Sequence, residues 1–388
     1  MAAVAAGLAS CSMMTEDMEP CPDGLYVKFA YDYNTQRADL FPYHVGHVRL
    51  HVYDEQGHLV AERTVSNTEA ETPLAEHGYT VYIPASELPD GNYRLQAVAL
   101  QKDWDEALAT AGAKYRRTEA KHVDDHHIML DYYQPETAFE CGHHHVTDAA
   151  PLDTLWHTLK VTSTAPLSSR EDPGVHRTQR PYTLYPHVDQ MVRVEKDKYT
   201  YATVSLMRDT KHLNLTIRQI DNPADCRHDD YEVFITDDNT HLDTNNELVK
   251  EQTVHYTPHT SWTSKFTENG LEIEDGLTTR ADGEEPEVLQ RIAHYDVMFN
   301  RIMYPSKADE GPVLRIRKKS DGTDVATINL AHVLSDGRMA YEMYNYGVQE
   351  YLDREHDYRL DFILKGGEWQ YLEIHVLSWS KRVQRVEL

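Results

Sequence analysis

The feature that most constrains the fold of this chain is a repeated alternation of apolar and polar residues with a period of two. It runs through residues 25–31, 48–53, 79–83 and 93–100, which are rich in β-branched and aromatic side chains. Successive side chains of a strand point to opposite faces, so these segments predict strands with one buried and one solvated face. The 25 Tyr against 7 Phe agree with this, because tyrosine suits a half-buried position.

Turn-forming sequences separate these segments. Asp54-Glu55-Gln56-Gly57 and Pro89-Asp90-Gly91-Asn92 supply the residues that tight turns need. The alternation resumes at residues 190–194, 202–207, 213–217, 231–235, 313–316, 325–328, 358–364, 371–377 and 383–388. The spacing of Val288, Leu289 and Ile292 allows one helical piece between residues 284 and 294. The sequence predicts an all-β protein of antiparallel β-sandwich domains, with long loops and a few short helices.

The predicted domain boundary lies where the alternation stops. Residues 134–150 contain Pro135 and a run of three histidines and have no period-two pattern. The 388 residues suffice for two or three domains. We therefore predict a signal remnant at residues 1–10, a lipidated acidic tether at 11–21, an N-terminal sandwich at 22–150 and a C-terminal sandwich at 151–388.

The start of the chain has the form of a bacterial lipobox. Leu8, two small residues and Cys11 follow an apolar stretch that is short and has no Lys or Arg before it. Small residues suit the tight groove in which a signal peptidase holds its substrate. Residues 12–21 are acidic and without period, which is typical of a solvated tether. We therefore predict that Cys11 accepts a lipid.

The formal net charge of -26 disfavours two classes of partner. Nucleic acid and anionic lipid headgroups are themselves negative and would be repelled. Such a charge mainly confers solubility, and it is also compatible with weak binding of a cation such as calcium. No internal stretch reaches the about 20 apolar residues that span a bilayer. We predict no nucleic-acid partner and membrane attachment through the N-terminal lipid.

Three cysteines remain besides Cys11. Cys21 and Cys141 bracket the predicted N-terminal domain, and an exported protein can keep a disulfide, so they are the candidate pair, with connectivity left open. Cys226 is then expected to be a small buried apolar residue. The cysteines lack CxxC spacing, which argues against a thiolate zinc site.

Histidines form the best metal candidate. His143, His144 and His145 are consecutive, with His122 and residues 126–127 upstream, and imidazoles suit zinc, copper or nickel. The run lies in the least patterned part of the chain and no HExxH motif accompanies it. A polar interdomain loop is the favoured interpretation, so no metal and no cofactor is predicted.

The sequence motifs of calcium binding and of catalysis are incomplete or absent. Residues 237–248 resemble a calcium loop but place Leu242 and Leu248 where an EF-hand needs Gly and Glu, so a turn capped by Asx side chains is expected. No GxSxG, GxGxxG or Walker sequence occurs, and no enzymatic activity is predicted. The tryptophans could stack on sugars, but Trp369 and Trp379 lie in strand patterns and are expected in a core.

Several segments in order carry a family resemblance: residues 21–29 with 31–34, 48–59, 155–156, 204–210, 230–233 with 237–239, 351–355 and 369–379. They resemble the FimB-like fimbrial anchor and fimbrillin-associated accessory proteins of Bacteroidales, and they cover nearly the whole mature chain. The acidic tether likewise resembles the surface-export signal of Bacteroides-type lipoproteins. The resemblance implies transthyretin-like sandwiches and a surface-exposed lipoprotein of the outer membrane at the base of a fimbrium.

The resemblance also implies a function. Shaft subunits of such fimbriae are cut after an arginine and accept a partner's strand in the groove that opens, whereas anchor members stay lipidated and uncut. The chain would then anchor fimbriae and help terminate or regulate their assembly, engaging a shaft or accessory subunit by strand addition at an edge groove of the second domain. Arg37 and the pair Arg116-Arg117 are interpreted as ordinary solvated residues rather than cleavage sites.

The last strand, at residues 383–388, is expected to pair within its own domain, so that the protein accepts a strand rather than donating one. The alternative function is a surface adhesin or glycan-binding lipoprotein, which the Trp and Tyr content favours.

Overall fold

Strands dominate the computed structural model, which describes residues 22–109, 113–118, 121–131, 144–146, 151–166, 191–250, 253–273, 287–307, 310–340, 343–376 and 379–384. The predicted all-β class is confirmed. The helices are α1 (Phe41–His44), α2 (Trp104–Ala109), α3 (Leu330–Ser335) and α4 (Val348–Arg354). Short 3-10 turns occupy Pro73–Ala75, Val123–Asp125, Pro223–Asp225, His228–Asp230 and Asp336–Met339.

In chain order the strands are β1 (Gly24–Ala30), β2 (His47–Tyr53), β3 (Leu59–Ser66), β4 (Thr80–Pro84), β5 (Gly91–Leu100), β6 (Lys114–Arg117), β7 (Ile128–Asp131), β8 (His144–Val146), β9 (Leu155–Ser163), β10 (Val192–Val194), β11 (Tyr199–Arg208), β12 (Lys211–Gln219), β13 (Tyr231–Asp237), β14 (His241–Leu242), β15 (Val254–Tyr256), β16 (Thr260–Phe266), β17 (Gln290–Phe299), β18 (Val313–Lys318), β19 (Asp324–Asn329), β20 (Asp357–Lys365), β21 (Glu368–Val376) and β22 (Trp379–Gln384).

An eight-stranded sheet forms the first half of the molecule. Its order is β3-β2-β5-β9-β11-β1-β4, and β10 pairs with the beginning of β5. Only β1 and β11 run parallel among these pairs. A first hydrophobic cluster lies against the sheet and includes Leu25, Leu50, Leu95 and Val204.

Sheet membership does not follow the predicted division at residue 150. β9, β10 and β11 come after that residue but complete the first sheet, whereas β6 and β7 come before it and form a three-stranded sheet with β14. The chain changes from the first sheet to the second half at Asp209 and Thr210, between β11 and β12. Alternation could not reveal this, because it specifies which face a residue occupies and not which strand lies beside it.

The second half contains a six-stranded sheet, β16-β17-β12-β20-β21-β22, and a five-stranded sheet, β19-β18-β13-β15-β8. A second cluster contains Leu215 from the former and Val233 from the latter, so the two sheets enclose one core. β22 pairs with β21, so Val383 and Gln384 of the predicted last strand pair within their own half, while residues 385–388 lie outside the described residues. The helix allowed between residues 284 and 294 is wrong, because β17 begins at Gln290 and alternates along its length.

Candidate functional site

The connection between the two halves is buried and polar. Asp209 and Thr210 link β11 to β12 and are enclosed completely. His157 Nδ1 lies 2.5 Å from Asp209 Oδ2, and Asn246 Nδ2 donates to Asp209 Oδ1 at 2.7 Å. His157 belongs to β9 of the first sheet and Asn246 to the turn after β14, so one carboxylate joins residues of both halves.

Lys211 extends this network beneath the end of α4. Its Nζ donates to the carbonyl oxygens of Asp353 and Glu355 at 2.7 and 2.8 Å, and burial lowers the pKa of Lys211 to about 8. Arg301 donates to both carboxylate oxygens of Asp353, at 2.8 and 3.0 Å. A buried pair of this kind fixes geometry more than it adds stability, and losing one partner costs about 3–5 kcal/mol.

Residues that follow β1 close the junction from the other side. Thr35 donates to Glu355 Oε2 at 3.1 Å, and the Tyr31 hydroxyl lies 3.2 Å from His356 Nδ1. The guanidinium of Arg354 lies 4.0 Å from the centre of the Tyr33 ring, a cation–π contact. We call the set Asp209, Lys211, Arg301, Asp353 and Glu355, with these partners, the junction network; it holds the two halves in one relative orientation.

The solvent face of the six-stranded sheet is the second notable surface. Along β12, Leu213, Leu215 and Ile217 are buried in the core while Asn214 and Arg218 are not. One register row crosses all six strands on this face and consists of Trp262, His294, Thr216, Asp361, Glu373 and Arg382. The neighbouring row consists of Thr260, Asp296, Asn214, Arg359, His375 and Ser380. At the usual strand spacing each row is about 24 Å long.

Most polar groups of the first row already have partners within the row or beside it. Thr216 donates to Asp361 Oδ1 at 2.8 Å, and Arg382 Nη2 donates to Glu373 Oε1 at 2.7 Å. The rings of Trp262 and His294 are parallel within 2°, with centroids 4.6 Å apart. The row is therefore an ordered surface rather than a set of independent side chains.

Three groups on this face could approach a metal ion. Ligand atoms of Asp361, Glu373 and His375 lie within 4.8 Å of one another. However, Arg218 and Arg359 approach the Asp361 carboxylate to 3.4 and 3.6 Å, in addition to the Thr216 and Arg382 bonds. Three guanidinium groups around two carboxylates disfavour a further cation, so we interpret the cluster as an ion-pair network.

A shallow cavity lies at one end of the same face. Its volume is about 480 Å³, and it is lined by residues that include Arg218, Gln290, Ile363 and Tyr371. Arg218, Ile363 and Tyr371 occupy one register row next to the row of Trp262. The cavity and the two rows therefore form one continuous surface.

The edges of the sheets are the third feature. β16 ends the six-stranded sheet, and its segment from Thr260 to Ser264 pairs on its outer side with no strand in the described part of the chain. This segment contains no charge and no proline, and its register with β17 is regular. By contrast, the opposite edge strand β22 carries Lys381 and Arg382, which discourage the addition of another strand.

The site residues predicted from sequence have different positions. Cys11, Cys21, Cys141 and His143 lie outside the described residues, so the lipidation and the disulfide stay predictions. His144 and His145 lie in strand β8, which pairs in parallel with β15. Cys226 is buried as expected, and its thiol donates to the Ile217 carbonyl oxygen at 3.2 Å.

Other expectations are refined by the structure. The backbone N–H groups of Asn245 and Glu247 donate to Asp243 Oδ1 at 2.8 and 2.9 Å, which confirms the turn capped by an Asx side chain. Arg37 is exposed but donates to the Tyr346 hydroxyl at 3.1 Å. Arg116 and Arg117 lie in strand β6, where Arg116 is exposed and Arg117 is half-buried.

Of the two tryptophans predicted in a core, the side chain of Trp379 lies outside the described part of the structure. Trp369 lies in the core, as predicted, and Trp104 and Trp156 are also buried, whereas Trp262 is 38% exposed. Sequence reasoning missed the junction network, because Arg208-Asp209-Thr210-Lys211 has the composition of an exposed turn. One sequence feature could have indicated burial of this segment: it connects two apolar strands and contains no turn-forming glycine or proline.

The described residues form an all-β fold with a buried polar junction between its two halves and an open sheet edge at β16. The sequence profile of the fimbrillin-A associated anchor proteins Mfa1 and Mfa2 matches residues 18–385. The chain belongs to this family, which confirms the resemblance inferred from its sequence. Membership implies a structural role in association with fimbrial subunits at the cell surface.

Solved structures share the fold. A candidate adhesin from Bacteroides thetaiotaomicron is 24% identical with a TM-score of 0.66, over 95% of this chain and 100% of its own. A candidate polysaccharide-binding protein from the same species is 21% identical with a TM-score of 0.63, over 94% and 100%. The fimbrial anchor protein Mfa2 from Porphyromonas gingivalis is 13% identical with a TM-score of 0.54, over 93% and 99%. None of the curated proteins matches this chain.

Helices of the described residues are too short and too polar to cross a bilayer.

Proposed function

We propose that this protein is an outer-membrane lipoprotein that holds a fimbrium at the cell surface and helps terminate or regulate its assembly. The match of the anchor family to residues 18–385 is the observation that carries the proposal. The lipobox at Cys11 and the acidic tether behind it supply the means of attachment. A lipid on Cys11 would place the folded body outside the membrane at the end of a short, solvated segment.

The junction network supports an anchoring role. An anchor fixes the direction of a fimbrium relative to the membrane only if its own two halves keep one relative orientation. Asp209 contacts His157 of the first sheet and Asn246 of the second half, and Thr35 donates to Glu355 across the same point. The two halves would therefore present the fimbrial partner in one geometry relative to the membrane.

Strand addition from a fimbrial subunit is the proposed mode of engagement, with β16 as the acceptor. An edge strand presents unpaired backbone N–H and C=O groups, which a second chain can complete. The segment from Thr260 to Ser264 has neither charge nor proline to prevent this. It belongs to the second half, as the edge groove predicted from the sequence does.

Attachment is tested by mass spectrometry of the protein from outer-membrane and soluble fractions of its native cells. We expect a diacyl or triacyl group on Cys11 and an uncut chain in the membrane fraction. Cys11→Ala should release the protein into the soluble fraction, whereas the matched control Cys21→Ala should leave it on the membrane. An unlipidated chain that starts after Arg37 or Arg117 would instead identify a processed, polymerising subunit.

Strand addition is tested with Thr260→Pro and Ser261→Pro, because adjacent N–H groups of a strand point in opposite directions. One variant removes a donor from the ladder with β17 and should lower the melting temperature. The other removes a donor from the outer edge and should abolish co-purification with fimbrial subunits while leaving the melting temperature unchanged. Undiminished co-purification by both variants would exclude β16 as the acceptor.

A further inference from the structure

An exposed aromatic ring marks the solvent face of the six-stranded sheet. Trp262 is 38% exposed, and its ring lies flat against the imidazole of His294, with 4.6 Å between centroids. Stacking of this kind fixes the plane of the indole and leaves a broad apolar surface in contact with water. A single exposed apolar side chain is common on protein surfaces, so the significance of Trp262 rests on its fixed plane and on the groups beside it.

A second aromatic ring lies on the same face. Tyr371 on β21 lines the cavity together with Arg218 and Gln290, and the guanidinium of Arg382 lies 4.1 Å from the centre of its ring. Trp262 and Tyr371 thus lie near opposite edges of the face, in adjacent register rows. Between them lie the amide of Asn214 and the guanidinium of Arg359, beside the buried pair of Thr216 and Asp361.

Apart from Glu268, which lines the cavity, the charges on this face are balanced, although the chain carries a formal charge of -26. The acidic residues Asp296, Asp361 and Glu373 are matched by the basic residues Arg218, Arg359 and Arg382. A further pair, His212 and Asp357, adds no net charge, because hydrogen bonds to Asp296 and Asp357 overcome the effect of burial and raise the pKa of His212 to about 9. The face therefore neither repels nor selects a charged ligand.

The composition of the face distinguishes between classes of ligand. The buried centre of a protein–protein interface is depleted in charged residues and rich in apolar contacts. Here the centre holds Asp361, Arg359 and Glu373, which are fixed hydrogen-bonding groups. A neutral sugar chain has apolar C–H faces for the rings of Trp262 and Tyr371 and hydroxyl groups for the charged and amide side chains between them.

We propose that this face binds a neutral oligosaccharide, laid across the strands along the row from Trp262 to Arg382. Trp262 and Tyr371 stack on sugar rings, while Asn214 and Arg359 exchange hydrogen bonds with hydroxyl groups. The site lies on the face of the sheet, whereas fimbrial attachment is proposed at the outer backbone edge of β16, so the site goes beyond the proposed function although both include that strand. It gives the anchor a second contact, to a surface or secreted glycan.

Isothermal titration calorimetry with maltohexaose, cellohexaose and mannohexaose tests the proposal, with an oligogalacturonate as the acidic comparison. We expect at least one neutral hexasaccharide to bind and the oligogalacturonate to bind no better. Trp262→Ala and Tyr371→Ala should each weaken binding by about tenfold or more, as loss of a central aromatic contact does. Trp262→Phe should restore most of the affinity, and the control Tyr43→Ala, which removes an exposed ring elsewhere, should have no effect.

Two results would overturn the proposal. In the first, no neutral hexasaccharide binds, or binding survives Trp262→Ala and Tyr371→Ala. In the second, Trp262→Ala abolishes co-purification with fimbrial subunits while the sugars give no heat, which would make the face a protein interface. Circular dichroism of each variant distinguishes loss of binding from loss of folding. Failure of lipidation at Cys11 would leave this experiment unaffected.

Discussion

His157 Nδ1 and Asp209 Oδ2 lie 2.5 Å apart at the point where the chain leaves the first sheet, and both side chains are buried. The second carboxylate oxygen of Asp209 accepts from Asn246. The contact therefore ties strand β9 to a turn of the second half through one residue of the connection between them.

Asp209→Ala should lower the free energy of unfolding by about 3–5 kcal/mol, because it leaves His157 and Asn246 buried without their acceptor. Urea denaturation followed by circular dichroism measures the change. Glu69→Gln, at an exposed loop position, is the control and should shift the value by less than about 0.5 kcal/mol. A loss below about 1 kcal/mol for Asp209→Ala would contradict a structural role for the network.

Lys211 should make stability depend on alkaline pH. Its folded pKa of about 8 lies below the ordinary 10.5, so the unfolded chain binds the extra proton between these values and stability rises with pH across that window. Relative to Lys211→Met, the wild type should gain about 3 kcal/mol from pH 7.5 to pH 10.5. Parallel urea titrations of the two proteins measure the difference, and equal slopes would show that Lys211 titrates normally.

Buried histidines should make the protein sensitive to acid. His126 is 2% exposed, its two ring nitrogens have no hydrogen-bond partner among the described residues, and its ring lies 4.9 Å from that of His51. Burial lowers the pKa of His126 to about 2 and that of His51 to about 4. Below pH 6.5, the ordinary histidine pKa, these histidines bind protons in the unfolded chain but not in the folded chain. Their contribution to the free energy of unfolding is therefore complete above pH 6.5 and is lost progressively below it.

The variant His126→Phe isolates this effect. Between pH 7 and pH 4.5 the wild type should lose about 2.5 kcal/mol more stability than the variant. Melting temperatures across this range provide the measurement, and the exposed His77→Gln should behave like the wild type. Identical acid sensitivity in His126→Phe and the wild type would mean that His126 does not resist protonation in the fold.

Cys226 should be chemically silent in the folded protein. It is fully enclosed, and burial raises the pKa of its thiol to about 11, so little thiolate exists at pH 8. Iodoacetamide at that pH should leave the Cys226 peptide unmodified in native protein and modify it completely in urea, as read by peptide mass spectrometry. Rapid native labelling would contradict the buried position between β12 and β13.

The parts of this molecule that were predictable from sequence are those that a local pattern determines. Residues 48–53 and 93–100 alternate, and they become the adjacent strands β2 and β5. The pairing of β1 with β11 was not predictable, because the two segments are far apart in sequence and neither specifies its neighbour. Asp209 and Lys211 were missed for a different reason, since a charged residue is normally exposed and only its tertiary partners permit burial.

The parallel pairing of β1 with β11 determines how the molecule responds to mechanical force. Gly24 pairs with Tyr199 and Ala30 with Ser205, and β11 continues directly into the second half through Asp209. A pull between the chain before Gly24 and the second half draws these strands past each other along their lengths. Their hydrogen bonds are then sheared together rather than opened one by one, and this arrangement resists force best along the line between the chain before Gly24 and the second half.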